Sequence, residues 1–138
     1  MIGVVDASIA LSWLLQDEHR PASDRLFEMV SDEGAVVPSL WRLEIANALQ
    51  IAVRRNRITG AYRDATIQRL ERLPIEVDSE TDAQAWGTTL RLSDRHSLTV
   101  YDAAYLELAL RRGVPLATRD RDLAKAALES GVTVLPTD

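Results

Sequence analysis

The sequence predicts an α/β fold in which a mainly parallel central sheet is flanked by helices on both faces, in three layers. Short apolar stretches with the length of strands alternate with longer segments in which apolar residues recur at helical spacing. Strands that are apolar throughout are typical of parallel sheets covered on both faces. With 138 residues, 46% of them apolar, the chain is expected to form a single domain over residues 1–138.

The individual elements follow from apolar spacing and from residues that begin or end helices. Ser39 and Thr99 are suited to cap the helices that follow them, and Gly113 and Gly131 are suited to end helices. The predicted strands cover residues 2–5, 35–37, 75–77, 114–118 and 132–135. The predicted helices cover residues 7–16, 21–31, 40–56, 58–73, 79–94, 100–112 and 120–130.

Composition limits where the protein works. The chain has no cysteine, which excludes disulfides and thiolate metal sites and suits a reducing compartment. The longest nearly apolar stretch, Ile9–Leu15, is far shorter than the roughly 20 residues of a membrane helix, and no basic segment precedes it. We therefore expect a cytoplasmic protein without a membrane partner.

The net charge of −5 disfavours nucleic acid overall, but one stretch has the opposite balance. Between Gln50 and Pro74 there are six arginines and two acids. The planar guanidinium of arginine suits phosphate groups, so Arg54, Arg55 and Arg57 are candidate RNA-binding residues. The alternative is that these arginines lie on solvated helix faces and bind nothing.

Four acidic residues are candidates for chemistry. Asp6, Asp102 and Asp120 each have a simple local explanation, because each lies where a carboxylate caps or stabilises the start of a helix. Glu44 lies inside a predicted helix, where no cap is needed.

Topology offers a second explanation for these acids. Loops that leave the carboxyl ends of parallel strands open on one edge of a sheet, where α/β proteins usually place their sites. Asp6 and Asp120 follow strands, and Asp102 and Glu44 lie near the starts of helices. Carboxylates that converge there repel one another unless a cation neutralises them, and all-oxygen ligands select Mg²⁺ or Mn²⁺.

Four segments give the chain a family resemblance. They are VVDASIALSWLL, VPSLWRLEIANAL, SLTVYDAAYLELALRRGVPLATRDRDLAKAA and GVTVLPTD. In their order and spacing they resemble PIN-domain ribonucleases, specifically the VapC-type toxins of bacterial toxin–antitoxin pairs. The resemblance spans nearly the whole chain.

The resemblance implies a site and an activity. Asp6, Glu44, Asp102 and Asp120 match the family's acidic quartet, Ser8 and Thr118 its supporting hydroxyls, and Asp122 is a possible fifth acid. The implied activity is Mg²⁺- or Mn²⁺-dependent endonucleolytic cleavage of RNA. The implied partners are a cognate VapB-type antitoxin, whose tail covers the site, and a second copy of the chain in a homodimer.

Two alternatives remain open from the sequence. A receiver-type phosphoacceptor domain also places an Asp at a strand end, but it needs a lysine after a late strand, and Lys125, the only lysine, lies in the last predicted helix. A non-catalytic protein-binding module could keep the same fold. Trp13, Trp41 and Trp86 are expected in the core or at an interface rather than stacked on bases.

Overall fold

Four short strands and eight helices alternate along the chain in the computed structural model, which describes residues 1–138. The strands are β1 (Val4–Val5), β2 (Ala35–Val37), β3 (Ile75–Val77) and β4 (Leu116–Ala117). The helices are α1 (Ala7–Leu14), α2 (Pro21–Glu33), α3 (Trp41–Arg54), α4 (Gly60–Glu71), α5 (Thr81–Gln84), α6 (Thr88–His96), α7 (Val100–Arg112) and α8 (Arg121–Glu129). A 3₁₀ turn, Gln16–Glu18, lies between α1 and α2.

The strands form one parallel sheet in the order β3-β2-β1-β4. Val4 of β1 pairs with Val36 on one side and with Leu116 on the other, so β1 is central. The strands β1, β2 and β4 are fully buried, which is why their sequences are apolar at every position rather than at alternate ones. The predicted fold class, a parallel sheet flanked by helices, is confirmed.

Helix α7 passes through the core. Seven consecutive residues, Ala103–Ala109, are buried, which only a helix covered on most sides can show. Three of the seven are alanines, whose small side chains let the helix lie close to β1. Thr99 accepts a hydrogen bond from the backbone N–H of Asp102 at the start of the helix, and Gly113 ends it in the left-handed conformation, both as predicted.

Asp78 and Glu107 are buried acids that lie away from the start of α7, and one arginine neutralises both. The guanidinium of Arg111 contacts Asp78 at 2.7 Å and Glu107 at 2.8 Å. This arginine holds the pKa of Asp78 below its usual range, because hydrogen bonding and charge favour the ionised carboxylate. Thr81 donates to the same carboxylate and accepts from the backbone N–H of Ser39, so the network joins α7, α5 and the turn before α3.

Three predicted elements were wrong in detail. Ser39 does not cap α3, because the helix begins after Leu40, which is itself the N-cap residue and has no side chain able to cap. The helix predicted over 79–94 is two helices, α5 and α6, that Gly87 separates. The last predicted strand is reduced to a single bridge between Leu116 and Val134, and Pro136, which has no N–H, follows it.

None of the eight helices combines the length and the apolar character needed to cross a membrane.

Gly3 allows β1 and β4 to approach each other. It adopts φ +141°, and a Cβ atom there would lie 2.3 Å from the carbonyl oxygen of Pro115. We expect Gly3→Ala to lower the free energy of unfolding by about 3 kcal/mol, the upper end of the cost of local backbone strain. Gly113→Ala is the matched control, because Gly113 also has positive φ but nothing within 4 Å of the added carbon, and it should cost only about 1 kcal/mol. Urea unfolding measures both, and equal losses would contradict the close-approach explanation.

Candidate active site

Asp6 lies at the carboxyl end of the central strand, where the chain turns from β1 into α1. Its carboxylate accepts hydrogen bonds from the N–H of Ile9 at 3.2 Å and from the hydroxyl of Ser8 at 2.6 Å. The hydroxyl of Thr118, which follows β4, donates to the other carboxylate oxygen. Asp6 is therefore the cap of α1 and also a bridge between two neighbouring strand ends.

The two hydroxyls also hold the loop after β4. Ser8 Oγ accepts from the N–H of Arg119 at 3.0 Å, and Thr118 Oγ1 accepts from the N–H of Asp120 at 3.0 Å. Each hydroxyl thus donates to Asp6 and accepts from the loop. Asp120 in turn caps α8 by accepting from the N–H of Leu123 at 2.9 Å.

Glu44 and Asp102 lie at the same edge of the sheet, each in the first turn of a helix. Glu44 lies in the first turn of α3 and accepts a hydrogen bond from the hydroxyl of Tyr105 on α7. Asp102 lies in the first turn of α7 itself. Both side chains are about half-buried, so the two helices meet at a pair of partly desolvated carboxylates.

Asp102 is the electrostatic centre of this group. Its negative charge contributes to a raised pKa at Asp6 and at Glu44, and its own pKa is raised by burial and then by the charges of Asp120 and Asp122. Burial is the main cause for Asp6, whose pKa reaches about 6 although three hydrogen bonds favour its ionised form. The structure thus brings Asp6, Glu44, Asp120 and Asp122 into electrostatic range of Asp102.

The acids at this edge lack the counter-charges that buried acids elsewhere receive. None of the five forms an ion pair, although the chain has fifteen arginines. Arg119, between Thr118 and Asp120, directs its guanidinium to the backbone oxygen of Glu18, 3.0 Å away. We define the five residues Asp6, Glu44, Asp102, Asp120 and Asp122 as the acidic cluster.

Known proteins identify the family. The family model described as PIN domain matches residues 3–129. Ribonuclease VapC3 of Mycobacterium tuberculosis is 32% identical over 125 residues, which cover 89% of this chain and 85% of that protein. The chain belongs to the PIN-domain family of VapC ribonucleases.

Solved structures share this PIN fold. The crystal structure of PAE2754 from Pyrobaculum aerophilum superposes with a TM-score of 0.70 at 23% identity and covers 96% of this chain and 82% of that one. A toxin–antitoxin complex from Klebsiella pneumoniae gives a TM-score of 0.57 at 17% identity, with 88% and 90% covered. At these identities the similarity extends to the fold alone.

The donor set of the acidic cluster suits a hard cation. Its groups are carboxylates supported by hydroxyls, with no sulfur or imidazole, which matches the preference of Mg²⁺ and Mn²⁺. Asp6 is buried and has no ion-pair partner, so it is the carboxylate whose ionised form a bound cation would stabilise most. As the side chains lie, however, no three acidic or histidine residues have the geometry of a metal centre. The chemistry of the cluster fits an ion, and the carboxylates would have to close around it.

Tyr105 is a residue of the site that the sequence did not predict. Its ring is buried and its hydroxyl orients the Glu44 carboxylate, and the pKa of the phenol is raised mainly by burial and then by that carboxylate. The available signal was a tyrosine three residues after Asp102 in a helix of alanines and leucines. The partner of that hydroxyl depends on packing between α3 and α7, which sequence periodicity does not specify.

Among the three candidate RNA-binding arginines, Arg54 lies far from Glu44 on the same helix. Arg54 is ten residues after Glu44 on α3, a distance of about 15 Å along the helix axis. Arg54 and Arg55 are exposed, whereas Arg57 pairs with Asp17 at 2.6 Å and Glu18 at 3.5 Å. A contact of Arg54 with RNA would therefore be about three helical turns from Glu44.

The pKa of Asp6, raised mainly by burial and further by the charge of Asp102, predicts a pH dependence of stability in metal-free buffer. Because the pKa of Asp6 is about 6 in the folded chain against an ordinary 3.8, the folded state binds more protons than the unfolded state between these values. The free energy of unfolding therefore falls as the pH rises from about 4 to about 6. Asp102→Asn removes repulsion on Asp6 and Glu44, so in EDTA at pH 7 it should melt at or above the wild-type temperature.

Thermal melts in EDTA from pH 4 to pH 7.5 measure the melting temperatures of wild type and Asp102→Asn. The two melting temperatures should converge at the acid end of this range. Asp64→Asn, on the exposed face of α4, is the control, and its melting temperature should equal that of wild type at each pH. If Asp102 served only the start of α7, its loss would instead lower stability by roughly 0.3 to 1 kcal/mol. A lower melting temperature for Asp102→Asn at pH 7 would contradict the repulsion.

Proposed function

We propose that this chain is the ribonuclease toxin of a toxin–antitoxin pair and that it cleaves RNA phosphodiester bonds endonucleolytically with Mg²⁺ or Mn²⁺. The observation that carries the proposal is the acidic cluster, in which five carboxylates share one edge of the sheet and none has a cation partner. Membership of the VapC family supports RNA as the substrate.

In this proposal, Asp6, Glu44, Asp102 and Asp120 hold the ion, with Asp122 as a further ligand. When bound, the ion supplies a Lewis acid for the scissile phosphate and a counter-charge for the leaving oxygen. It also reverses the local sign of charge, which lets an acidic protein accept a polyanion at this edge.

The chain's own groups set the geometry of the reaction. Ser8 and Thr118 fix both oxygens of Asp6 and the loop that carries Asp120, so these two ligands keep a constant separation. Tyr105 occupies Oε1 of Glu44 and leaves Oε2 available. Burial of Asp6 and Tyr105 keeps water away from the inner side of the cluster, which strengthens electrostatic interactions there.

The proposed protein partners are a cognate VapB-type antitoxin and a second copy of the chain. The similarity of fold to a component of a toxin–antitoxin complex supports the antitoxin. The homodimer is supported by exposed apolar side chains on α6, where Leu90 is 43% exposed and Trp86, just before the helix, is 92% exposed.

The metal and the carboxylates can be tested together. Asp6→Asn and Asp102→Asn should each abolish Mg²⁺-dependent RNA cleavage, because an amide lacks the charge that holds the ion. Wild type should also melt higher in Mg²⁺, by the equivalent of about 2.7 kcal/mol at a hundredfold excess over Kd, and Asp102→Asn should lose most of that shift. Cleavage gels, thermal melts and circular dichroism on the same samples measure these effects.

Asp64→Asn, which leaves the cluster intact, should retain both cleavage and the metal shift. Retained cleavage in the two cluster variants would exclude this assignment of the site. A folded wild type that binds a partner but cleaves no RNA would instead indicate a non-catalytic binding module. The receiver-type alternative has no support from the structure, because Lys125 lies within α8 rather than after a strand.

The arginine stretch is proposed to bind the RNA backbone away from the cut. Replacing Arg54 and Arg55 by Gln should weaken RNA binding and reduce the slope of log affinity against log salt by up to about 1.4 to 1.8, since two fewer phosphates would be neutralised. Arg57→Gln should contribute less, because Arg57 is already paired with two acids. Titrations at several salt concentrations measure the slope, and an unchanged slope would assign these arginines to a solvated helix face.

A further inference from the structure

A cavity opens between α3, the carboxyl-terminal half of α4 and the edge strand β3. Its volume is about 230 Å³. Seven of its nine lining residues are apolar, and six of these are Trp41, Ile45, Ile67, Leu70, Leu73 and Ile75. None of the five acids of the acidic cluster lines it. The cavity is therefore separate from the site that the carboxylates form.

The two sides of the cavity differ in how far they are buried. Trp41 and Ile45, on the α3 side, are both 3% exposed and belong to the core. The four apolar residues on the α4 and β3 side pack against that core but keep part of their surface exposed. Partly exposed apolar side chains around one concave opening are typical of sites that bind small apolar molecules.

Trp41 also carries an unsatisfied hydrogen-bond donor. Its Nε1–H is buried and finds no acceptor in the chain, and no other buried side-chain nitrogen or oxygen lacks a partner. The indole N–H of Trp13, by contrast, donates to the backbone oxygen of Ser23 at 2.9 Å. A buried donor without an acceptor costs free energy, which an acceptor supplied from outside the chain would recover. The buried wall of the cavity thus offers one donor and otherwise apolar contacts.

Charge and volume limit what the cavity can hold. Arg42 and Glu71 are the only charged residues that line it, and both are exposed. One positive and one negative charge favour neither an anion nor a cation, so a neutral molecule fits best. A cavity of about 150 Å³ lined by apolar side chains holds one benzene molecule. The larger volume here therefore suits a benzene ring with about two or three further heavy atoms.

We propose that this cavity binds a small neutral molecule with an apolar body and a single hydrogen-bond acceptor, of the chemical class of an aryl ketone. The apolar body occupies the space between α3, α4 and β3, and the carbonyl oxygen accepts a hydrogen bond from Nε1 of Trp41. Because that N–H is covered, the indole ring tilts toward the cavity when the acceptor enters. The inference goes beyond the proposed ribonuclease function and requires neither RNA nor a metal ion.

The test uses two probes of nearly the same shape, acetophenone and ethylbenzene, which differ in the carbonyl oxygen. Both are titrated in EDTA into ¹⁵N-labelled protein, and NMR follows the indole N–H signals of the three tryptophans and the backbone amide signals of Ile67 and Leu70. Both probes should shift the Trp41 signal saturably and leave that of the exposed Trp86 unchanged. Acetophenone should bind about 2-fold to 13-fold more tightly, because it gains one hydrogen bond.

Two variants separate the hydrogen bond from the cavity. Trp41→Phe removes the N–H, so the preference for acetophenone should disappear while the amide signals still report binding of ethylbenzene. Ala46 lines the cavity and is exposed, so Ala46→Phe should fill the opening and abolish saturable binding of both probes. Asn47→Phe is the matched control, because Asn47 is exposed on the same helix but does not line the cavity, and it should bind both probes as wild type does.

The opposite results overturn the inference. Equal affinities for the two probes in wild type, or a preference that survives in Trp41→Phe, would exclude the hydrogen bond and with it the proposed class of ligand. No saturable binding, or binding that Ala46→Phe leaves intact, would exclude the site. If neither probe binds and Ala46→Phe changes the oligomeric state or loses the antitoxin, a protein surface covers the cavity instead. RNA cleavage enters none of these measurements, so failure of the proposed function is distinguishable from failure of this inference.

Discussion

Repulsion among carboxylates at one edge of the sheet is the constraint around which the rest of the structure is arranged. Asp102 interacts with four other acids, and none of the five has a cation partner within the chain. Like charges in a partly buried site cost free energy that the surrounding fold must supply. Two hydroxyls, a buried phenol and four helix starts hold the carboxylates in place against that repulsion.

The contrast with Asp78 and Glu107 shows that this arrangement is specific to one edge. Those two acids are at least as buried as Asp6, yet Arg111 contacts both and lies in a network that joins three elements. The same chain therefore neutralises buried acids where they serve only packing. At the carboxyl ends of β1 and β4 it leaves the acids without a cationic partner, and the proposed cation would complete the charge balance there.

Much of the fold and most of the cluster can be predicted from the sequence because local rules agree with the tertiary structure. Apolar runs predict the strands, Thr99 and Gly113 delimit α7, and the topology of a parallel sheet places Asp6 and Asp120 at one edge. The remainder depends on contacts between distant segments. Thr81 accepts a hydrogen bond from the N–H of Ser39. The packing of α7 against α3 brings the hydroxyl of Tyr105 into contact with Glu44. No local pattern encodes either pairing.

The bond between Thr118 and Asp6 joins residues that are 112 positions apart in the chain. During synthesis, the hydroxyl that fixes Asp6 is added 112 residues after that carboxylate, and Asp120 follows two residues later. A nascent chain consequently has no complete acidic cluster until Asp122 has been synthesised. The topology thus delays assembly of the cluster and keeps an unfinished chain, still attached to the ribosome and its messenger RNA, from presenting all of its carboxylates.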